Sequence, residues 1–188
     1  MKSDELKNVE EENFKIEDAK PEDVEAIRAI VKDAWLEIYP NEKYGITTED
    51  ISAIDWFNSE SLATRRKEII ENKDTVHTFV FKNDKKEIVG FCKVLKFKDY
   101  GEIDAMYVIP ELQRRGLGKK LLLKGLEWLG SDLSIRLVVV KYNFNAIEFY
   151  KKFGFKETGN KVVYEGTQLS SGKDIPRIEM IKKATLVN

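Results

Sequence analysis

The most informative segment of this 188-residue chain reads Val108-Ile109-Pro110-Glu111-Leu112-Gln113-Arg114-Arg115-Gly116-Leu117-Gly118-Lys119-Lys120. An apolar strand at 103–108 enters a short loop, and the loop opens a helix with two glycines at its start. A helix start exposes unpaired backbone N–H groups and the positive end of the helix dipole. Glycines let a diphosphate approach those groups, and the neighbouring arginines and lysines add positive charge. The segment therefore predicts a cradle for a pyrophosphate.

Two common phosphate motifs do not fit this segment. A P-loop has four residues between its glycines and a Lys-Ser or Lys-Thr pair at its end, and this segment has neither. The dinucleotide fingerprint has three spaced glycines, and Gln113 stands where the first would be. What remains is Gln-x-x-Gly-x-Gly after a strand that ends Val-x-Pro. This pattern resembles the acyl-CoA-binding motif of the GNAT (Gcn5-related N-acetyltransferase) superfamily.

A second motif follows between Val140 and Phe155. It reads Asn-x-x-Ala-x-x-x-Tyr-x-x-x-Gly-Phe, beginning at Asn143 and with its tyrosine at Tyr150. It looks like another GNAT motif, whose asparagine hydrogen-bonds the pantetheine arm of CoA and whose tyrosine lies near the thioester sulfur. The resemblance implies these roles for Asn143 and Tyr150, the latter as a proton donor to the leaving thiolate. Taken alone, each residue also fits a structural role, as a helix cap and as a core tyrosine.

The resemblance also implies which residues contact acetyl-CoA, the expected co-substrate; no metal is expected. The cradle would be formed by Gln113, Arg114, Arg115, Gly116, Leu117, Gly118 and Lys119. In GNAT enzymes the strand before the cradle separates from its neighbour, here 135–140, and leaves backbone groups for the pantetheine amides. The corresponding backbone positions are Met106, Tyr107 and Val108, and one N–H in this region would polarise the thioester carbonyl.

Two carboxylates on the same strand are candidates for the general base. Glu102 and Asp104 precede Val108 by six and four residues, so strict alternation predicts all three side chains on one face. Both positions supply the base in different GNAT enzymes. A primary amine is protonated at neutral pH, and a carboxylate acting through water can accept its proton. The alternative is that one or both are solvent-facing strand acids.

The resemblance puts the acceptor pocket against the first two helices and the last strand pair. The helical region of this chain supplies two groups of residues, the aromatics Trp35, Tyr39, Tyr44, Trp56 and Phe57 and the acids Glu37, Glu42, Glu49, Asp50 and Asp55. Aromatic rings together with carboxylates favour a cationic amine. The alternative is a set of core aromatics beneath a solvated acidic surface.

The composition limits the classes of partner. The chain has 32 basic and 33 acidic residues, so it lacks the basic excess of a nucleic-acid-binding protein. No apolar run approaches the roughly 20 residues of a membrane span, and no signal-peptide core is present, so no membrane partner is expected. A single cysteine, Cys92, excludes an internal disulfide, and a single histidine, His77, excludes a multi-histidine metal site. The cytoplasm is the expected location.

The order of predicted elements is β-α-α-α-β-β-β-α-β-α-β-β. The helices are expected from Pro21, from Thr47 or Thr48 to Phe57, from Ser59 or Ser61, at 115–129 and around 146–153; the remaining strands are expected at 14–19, 77–82, 87–97, 135–140, 161–168 and 177–182. The three middle strands should form an antiparallel meander. This order resembles a GNAT domain, which implies an α/β fold with a mixed, largely antiparallel twisted sheet, flanking helices and a separated strand pair that admits CoA. We expect a flexible acidic tail at 1–12, one domain at 13–183 and a short tail at 184–188.

The function that the resemblance implies is acyl-CoA-dependent N-acetyltransfer to a primary amine by direct attack. The acceptor is left open between a small amine such as a polyamine, a protein N-terminus and a lysine side chain. A homodimer is the assembly to test. Two functions of other kinds stay as alternatives: a CoA-binding sensor or interaction module without turnover, and a nucleotide-binding protein.

Overall fold

A computed structural model describes residues 13–71, 74–160, 162 and 169–185. The acidic tail predicted at 1–12 lies outside these residues, and so does nearly all of the strand predicted at 161–168. Of the predicted C-terminal tail, Ala184 and Thr185 are described, and they belong to no helix or strand.

The strands of the described residues form one mixed sheet. Their bounds are Lys15–Asp18 for β1, Val76–Lys82 for β2, Ile88–Lys96 for β3, Tyr100–Val108 for β4, Ser134–Val140 for β5, Lys156–Glu157 for β6 and Arg177–Lys182 for β7. Their spatial order is β1-β2-β3-β4-β5-β7-β6. Every neighbouring pair is antiparallel except β4 and β5, which run parallel. The predicted α/β class and the meander of β2, β3 and β4 are confirmed, whereas the short β6 was not predicted.

Five α-helices lie in the described part of the chain. Their bounds are Val24–Ile38 for α1, Thr48–Ser52 for α2, Ser59–Glu71 for α3, Leu117–Leu129 for α4 and Phe144–Lys151 for α5. The start predicted at Pro21 is a 3-10 turn, Pro21–Asp23, that leads into α1. Helix α4 begins two residues later than predicted because Gly116 takes a left-handed conformation with φ 85°.

Helix α2 ends five residues before the predicted Phe57. Its start is as expected, since the side chain of Thr47 accepts a hydrogen bond from the N–H of Asp50 at 3.2 Å. Its end is set by Trp56, which is buried and donates its indole N–H to the carbonyl of Ile51 at 3.0 Å. That carbonyl is therefore already engaged with a side chain, and the chain turns back over the helix end.

The two faces of the sheet pack against different helices. On one face α4 and α5 cover a core that includes Phe79, Phe81 and Leu137. On the other face α1 and the segment around Trp56 cover a core that includes Val80. Neighbouring residues of β2 thus alternate between the two cores, as strand geometry requires. The sheet separates the two cores, and the functional site lies where β4 and β5 separate.

A glycine sets the distance of α4 from the sheet. A Cβ atom on Gly125 would lie 3.0 Å from Val94 Cγ1 and 3.2 Å from Cys92 Sγ. We predict that Gly125→Val lowers the free energy of unfolding by about 1–3 kcal/mol through overpacking. Calorimetry should then show a Tm lower by roughly 2–12 °C. Glu127→Val, which adds the same side chain on the exposed face of α4, is the control; equal Tm values for the two variants would contradict close packing at Gly125.

Candidate active site

The central feature of the site is a gap between β4 and β5. The two strands pair only from Tyr100–Ile103 to Ser134–Leu137, and their pairing stops there. On its other edge, strand β5 stays paired with β7 from Ile135 to Val140. The separation of the two strands that the motif implied is therefore present, and it begins after Ile103.

The hydrogen bonds between β4 and β3 show which backbone groups of β4 face the gap. Ile109 donates its N–H to Val89 next to β3 at 2.9 Å. Because hydrogen bonding alternates along an antiparallel strand, the N–H and C=O of Met106 and Val108 point to the opposite edge, into the gap. The same alternation directs the backbone of Tyr107 to β3. This corrects the sequence expectation for Tyr107, whose backbone is not available to a ligand in the gap.

Strand β5 supplies the facing backbone groups. Lys141 donates its N–H to Pro176, next to β7, at 2.9 Å. By the same alternation Val138 turns its N–H and C=O away from β7 and toward the gap. A ligand with amide groups along an extended arm could therefore hydrogen-bond to Met106, Val108 and Val138, as a strand added to a sheet edge does.

A β-bulge in β4 changes the predicted faces. Lys93 of β3 pairs with Ala105, and Val94 pairs with Ile103. No residue of β3 therefore lies opposite Asp104, and the side chains of β4 change face by one residue at this point. Glu102 lines a cleft on the α1 side of the sheet, whereas Val108 packs into the core beneath α4. The prediction that Glu102 and Asp104 share a face with Val108 is therefore wrong.

The cradle forms where the loop after β4 meets α4. Gly116 has φ 85° and Arg114 has φ 61°, so the chain turns sharply just before the helix. A Cβ on Gly116 would meet no atom within 4 Å, which leaves the helix start open. The first N–H groups of α4, at 117–119, have no acceptor within the helix and lie at this opening. A diphosphate fits this arrangement of donors and charge.

The side chains around the cradle have separate roles. Leu117 is buried in the core, so it can contribute only its backbone to a ligand. Gln113 donates its side-chain amide to the carbonyl of Val108 at 3.1 Å, which ties the loop to the end of β4. The Arg115 guanidinium lies 5.7 Å from the centre of the Phe14 ring. Arg114 and Lys119 are exposed and can supply charge to an anion at the helix start.

Asn143 and Tyr150 border a cavity of about 80 Å³ within the gap, which Met106 also lines. Asn143 caps α5, since its side-chain oxygen accepts from the N–H of Ala146 at 3.1 Å. The structural role considered for Asn143 is thus present, and its amide group remains available as a donor. Tyr150 is 7% exposed, and in the described part of the chain its hydroxyl has no hydrogen-bond partner. Burial raises the pKa of Tyr150, so its hydroxyl stays protonated at neutral pH.

A larger cleft of about 700 Å³ opens on the α1 side of the gap. The two cavities share lining residues, Tyr39, Asp104, Ala105, Tyr107 and Val138, so the cleft and the gap meet. Of the predicted aromatic residues, Trp35, Tyr39 and Trp56 line the cleft, whereas Tyr44 and Phe57 lie elsewhere.

The predicted acidic character of this cleft is wrong. None of the five predicted acids, Glu37, Glu42, Glu49, Asp50 and Asp55, lines it. Glu37 is exposed on α1, because the helix turns its apolar stripe inward, and Asp50 completes the cap of α2 by accepting from the N–H of Thr47 at 2.9 Å. The charged residues that do line the cleft are the cations Arg28, Arg65, Lys93, Arg136 and Arg177 and the carboxylates Glu68, Glu102, Asp104 and Glu179.

Sequence reasoning missed these cations, although two of them carried a readable signal. Arg28 lies on the apolar stripe of α1, four residues after Val24, and Arg136 interrupts the apolar run of β5. A cation on a face that is otherwise buried indicates a partner or a function. On α3, Ile70 is 59% exposed, whereas Arg65 and Ile69 line the cleft.

Both candidate bases are held by cations. Glu102 accepts a hydrogen bond from Arg136 Nε at 2.7 Å. Asp104 lies 3.3 Å from Lys93 Nζ, which also contacts Glu68 at 3.0 Å. These pairs fix both carboxylates at the wall of the cleft next to the gap. Each carboxylate keeps a second oxygen that can accept a proton through water.

Two further reactive side chains, those of Cys92 and His77, are assigned no role in this chemistry. Cys92 is fully buried, and burial raises the pKa of its thiol to about 12, so it is not a nucleophile at neutral pH. His77 contacts Asp18 at 2.9 Å on the first two strands of the sheet. Across the described ranges no three histidine, cysteine or acidic side chains converge as metal ligands would.

A family model and two curated relatives match this chain. The family model for the acetyltransferase (GNAT) family matches residues 25–155. An uncharacterized N-acetyltransferase, YuaI of Bacillus subtilis, is 28% identical over 119 residues, 61% of this chain and 63% of that protein. The peptidyl-lysine N-acetyltransferase YjaB of Salmonella typhimurium is 34% identical over 99 residues, 52% of this chain and 59% of that protein.

Solved structures show the same fold. The PaiA N-acetyltransferase of Thermoplasma acidophilum, crystallised in complex with coenzyme A, superposes with a TM-score of 0.70 at 21% identity, covering 91% of this chain and 99% of that one. With the family match over most of its length, the chain belongs to the GNAT acetyltransferase family. None of the helices in the described residues has the length and apolar character needed to span a bilayer.

We predict that CoA binding requires an open cradle. Gly116→Glu introduces a carboxylate where the diphosphate would lie, so calorimetry should show acetyl-CoA affinity reduced at least tenfold. Gly130→Glu is the control, because Gly130 also has a positive φ (86°) and open space but lies at the other end of α4. Equal affinity in both variants would contradict the cradle. ATP and NAD should bind the wild type far more weakly than CoA, and tighter ATP binding would favour a nucleotide-binding protein.

Proposed function

We propose that this protein transfers the acetyl group of acetyl-CoA to a primary amine by direct attack. One observation carries the proposal: an open helix start follows the end of β4, and the gap between β4 and β5 opens into a large cleft. An extended thioester with a diphosphate fits the first part, and a second substrate fits the cleft. Family membership supports the same reading. The protein would act in the cytoplasm, a location supported by its one cysteine, which is buried and free.

The binding of acetyl-CoA is assigned to backbone groups. The N–H groups at 117–119 would donate hydrogen bonds to the diphosphate, and the positive charges of Arg114 and Lys119 would stabilise it. Met106, Val108 and Val138 would hydrogen-bond the pantetheine amides, and the side chain of Asn143 would add a donor. One N–H that faces the gap, from Met106 or Val108, would polarise the thioester carbonyl. Because these groups are held by the sheet, they need no rearrangement when the substrate binds.

The reaction then needs two proton transfers. The neutral amine nitrogen attacks the carbonyl carbon, an N–C bond forms, the C–S bond breaks, and the sulfur leaves with the bonding pair. Tyr150 would donate a proton to that sulfur, which is consistent with a hydroxyl that burial keeps protonated. The nitrogen loses one proton through water to Glu102 or Asp104, which border the cleft, and Tyr150 regains its proton from solvent before the next turnover. Most of the rate enhancement would come from positioning and carbonyl polarisation.

The acceptor is a primary amine, on a small molecule or on a peptide. The relative YjaB is named a peptidyl-lysine N-acetyltransferase, which keeps lysine among the candidates. A polyamine is less favoured than the sequence suggested, because the cleft holds five cations beside four carboxylates. A panel of amines assayed with acetyl-CoA for thiol release tests the function. CoA binding without thiol release from any amine would favour the sensor, and light scattering would test for a homodimer.

We predict that Tyr150→Phe lowers turnover more than it weakens acetyl-CoA binding. The change removes one hydroxyl and keeps the ring, which packs edge-on against Phe155 at 5.6 Å between centres. Loss of a general acid should reduce kcat by roughly 10²- to 10⁴-fold. Tyr142→Phe is a control for loss of a tyrosine hydroxyl, because Tyr142 lines neither cavity and its hydroxyl donates to the carbonyl of Tyr39. If the Tyr150 variant keeps kcat within about twofold of wild type, Tyr150 is a packing residue.

The base assignment predicts a pH profile. At low pH both the attacking amine and its proton acceptor are protonated, so the rate should rise with pH and then level off. Glu102→Gln keeps an oxygen for Arg136 but cannot accept a proton, and should flatten the acid limb or reduce the rate by on the order of 10²-fold. Asp104→Asn should have a much smaller effect. A large effect of Asp104→Asn and a small effect of Glu102→Gln would assign the general base to Asp104. If both variants keep the pH–rate profile of the wild type, neither carboxylate is the base.

A further inference from the structure

Two arginines of the acceptor cleft have no carboxylate within ion-pair distance in the described part of the chain. Arg28 of α1 and Arg65 of α3 both line the cleft, and neither has an ion-pair partner among the residues that the structure describes. Arg28 Nε donates to the carbonyl of Trp56 at 3.2 Å, and its guanidinium lies 5.0 Å from the centre of the Trp56 ring. The Nε of Arg65 is buried and has no acceptor in the described part of the chain.

The cations next to β4 differ from this pair. Lys93 lies 3.0 Å from Glu68 and 3.3 Å from Asp104, and Arg136 lies 2.7 Å from Glu102. The cleft therefore has a charge-balanced wall beside the gap and a positive end between α1 and α3. That positive end and the gap open into the same cleft, because Tyr107 lines the cleft together with Arg28 and Arg65 and also lines the cavity within the gap.

The arginine pair is unfavourable in the empty protein. Burial, together with the positive charge of Arg65, lowers the pKa of Arg28 to about 10. Two like charges held together in a partly enclosed cleft raise the free energy of the folded state unless an anion joins them. Guanidinium groups bind carboxylate and phosphate oxygens with two parallel hydrogen bonds, and two of them can hold one anion from both sides.

We propose that Arg28 and Arg65 bind an anionic group of the acceptor, which is therefore a compact amine that also carries a carboxylate or a phosphate. The inference rests on the proposed acetyltransferase function and names the acceptor class for the same cleft. The anionic end lies between α1 and α3, and Trp35 and Trp56 provide an apolar wall for the body of the molecule. The amine end then lies beside Glu102 and Asp104, at the mouth of the gap.

The test uses matched pairs of amines that differ only in the anionic group. ω-Amino carboxylates of increasing length are compared with n-alkylamines, and 2-aminoethyl phosphate is compared with ethanolamine, by kcat/KM for thiol release from acetyl-CoA. We expect the anionic member of at least one pair to be used at least tenfold better than its neutral partner. Whether the carboxylates or the phosphate show the preference identifies the anion.

The variant that tests the pair is Arg65→Gln, with Arg66→Gln as its control. Arg66 is the next residue of α3, forms an ion pair with Glu25 on the outer surface, and does not line the cleft. Arg65→Gln should remove at least tenfold of the preference for the anionic amine and change kcat/KM for the neutral amine by less than about twofold. Arg66→Gln should leave both values unchanged. Arg65→Gln should not lower the Tm, because it removes a charge that lacks a partner.

The outcomes separate this inference from the proposed function. Turnover with no preference for anionic amines, or with the same preference in Arg65→Gln as in Arg66→Gln, overturns the anion site and leaves the acetyltransferase function standing. If no amine gives turnover, calorimetry with CoA-saturated protein measures the affinity of the same amines and tests the anion site without catalysis. Binding of the anionic member that Arg65→Gln weakens at least tenfold supports the site, and binding that does not differ between the two variants overturns it.

Discussion

Between Ile103 and Ala105, β4 contains one residue more than the stretch of β3 that it pairs with. A bulge of this kind bends its strand and increases the local twist. The pairing of β4 with β5 ends at the same point, so we infer that the bulge at Asp104 turns β4 away from β5. The result is a gap inside the sheet, lined by N–H and C=O groups; the carbonyl of Val108 accepts from Gln113, and the groups without such a partner need water or a ligand. Leaving one such group unsatisfied costs about 1–3 kcal/mol, which makes the gap a binding site by its nature.

The same bulge arranges the chemistry on either side of the gap. It shifts the alternation of β4, so that Glu102 and Tyr107 face the cleft while Met106 and Val108 face the core beneath α4. Proton-accepting groups therefore lie on the α1 side of the sheet. The helix start with Gly116 follows β4 at the other end of the gap. One strand thus connects the proposed sites for the two substrates.

Much of this arrangement was predictable because it is encoded locally. The positive φ of Gly116, the cap at Asn143 and the alternation of β2 all depend on residues within one turn or one strand. The end of α2 was missed because it depends on a side-chain contact from just beyond the helix, the hydrogen bond from the indole of Trp56 to Ile51.

The faces of β4 and the charge of the cleft were not predictable in the same way. The bulge depends on the register of β3 against β4, so a pattern read along one strand put Glu102 and Val108 on one face. The cleft is lined by α1, α3 and five strands, and its charge depends on which side chains those elements turn inward. The predicted acids lie on the outer surface or in a cap, whereas the informative residues were single cations such as Arg28 within apolar patterns.

The central claim is that the gap, and not only the helix start, receives the CoA molecule. Residue-resolved amide hydrogen exchange by NMR, with and without saturating CoA, measures this directly. The account predicts that the amides of Met106, Val108 and Val138 exchange more slowly when CoA is bound, while Tyr107 and Ile109, already bonded on the β3 side, change little. Unchanged exchange at Met106, Val108 and Val138, with protection confined to the start of α4, would contradict it.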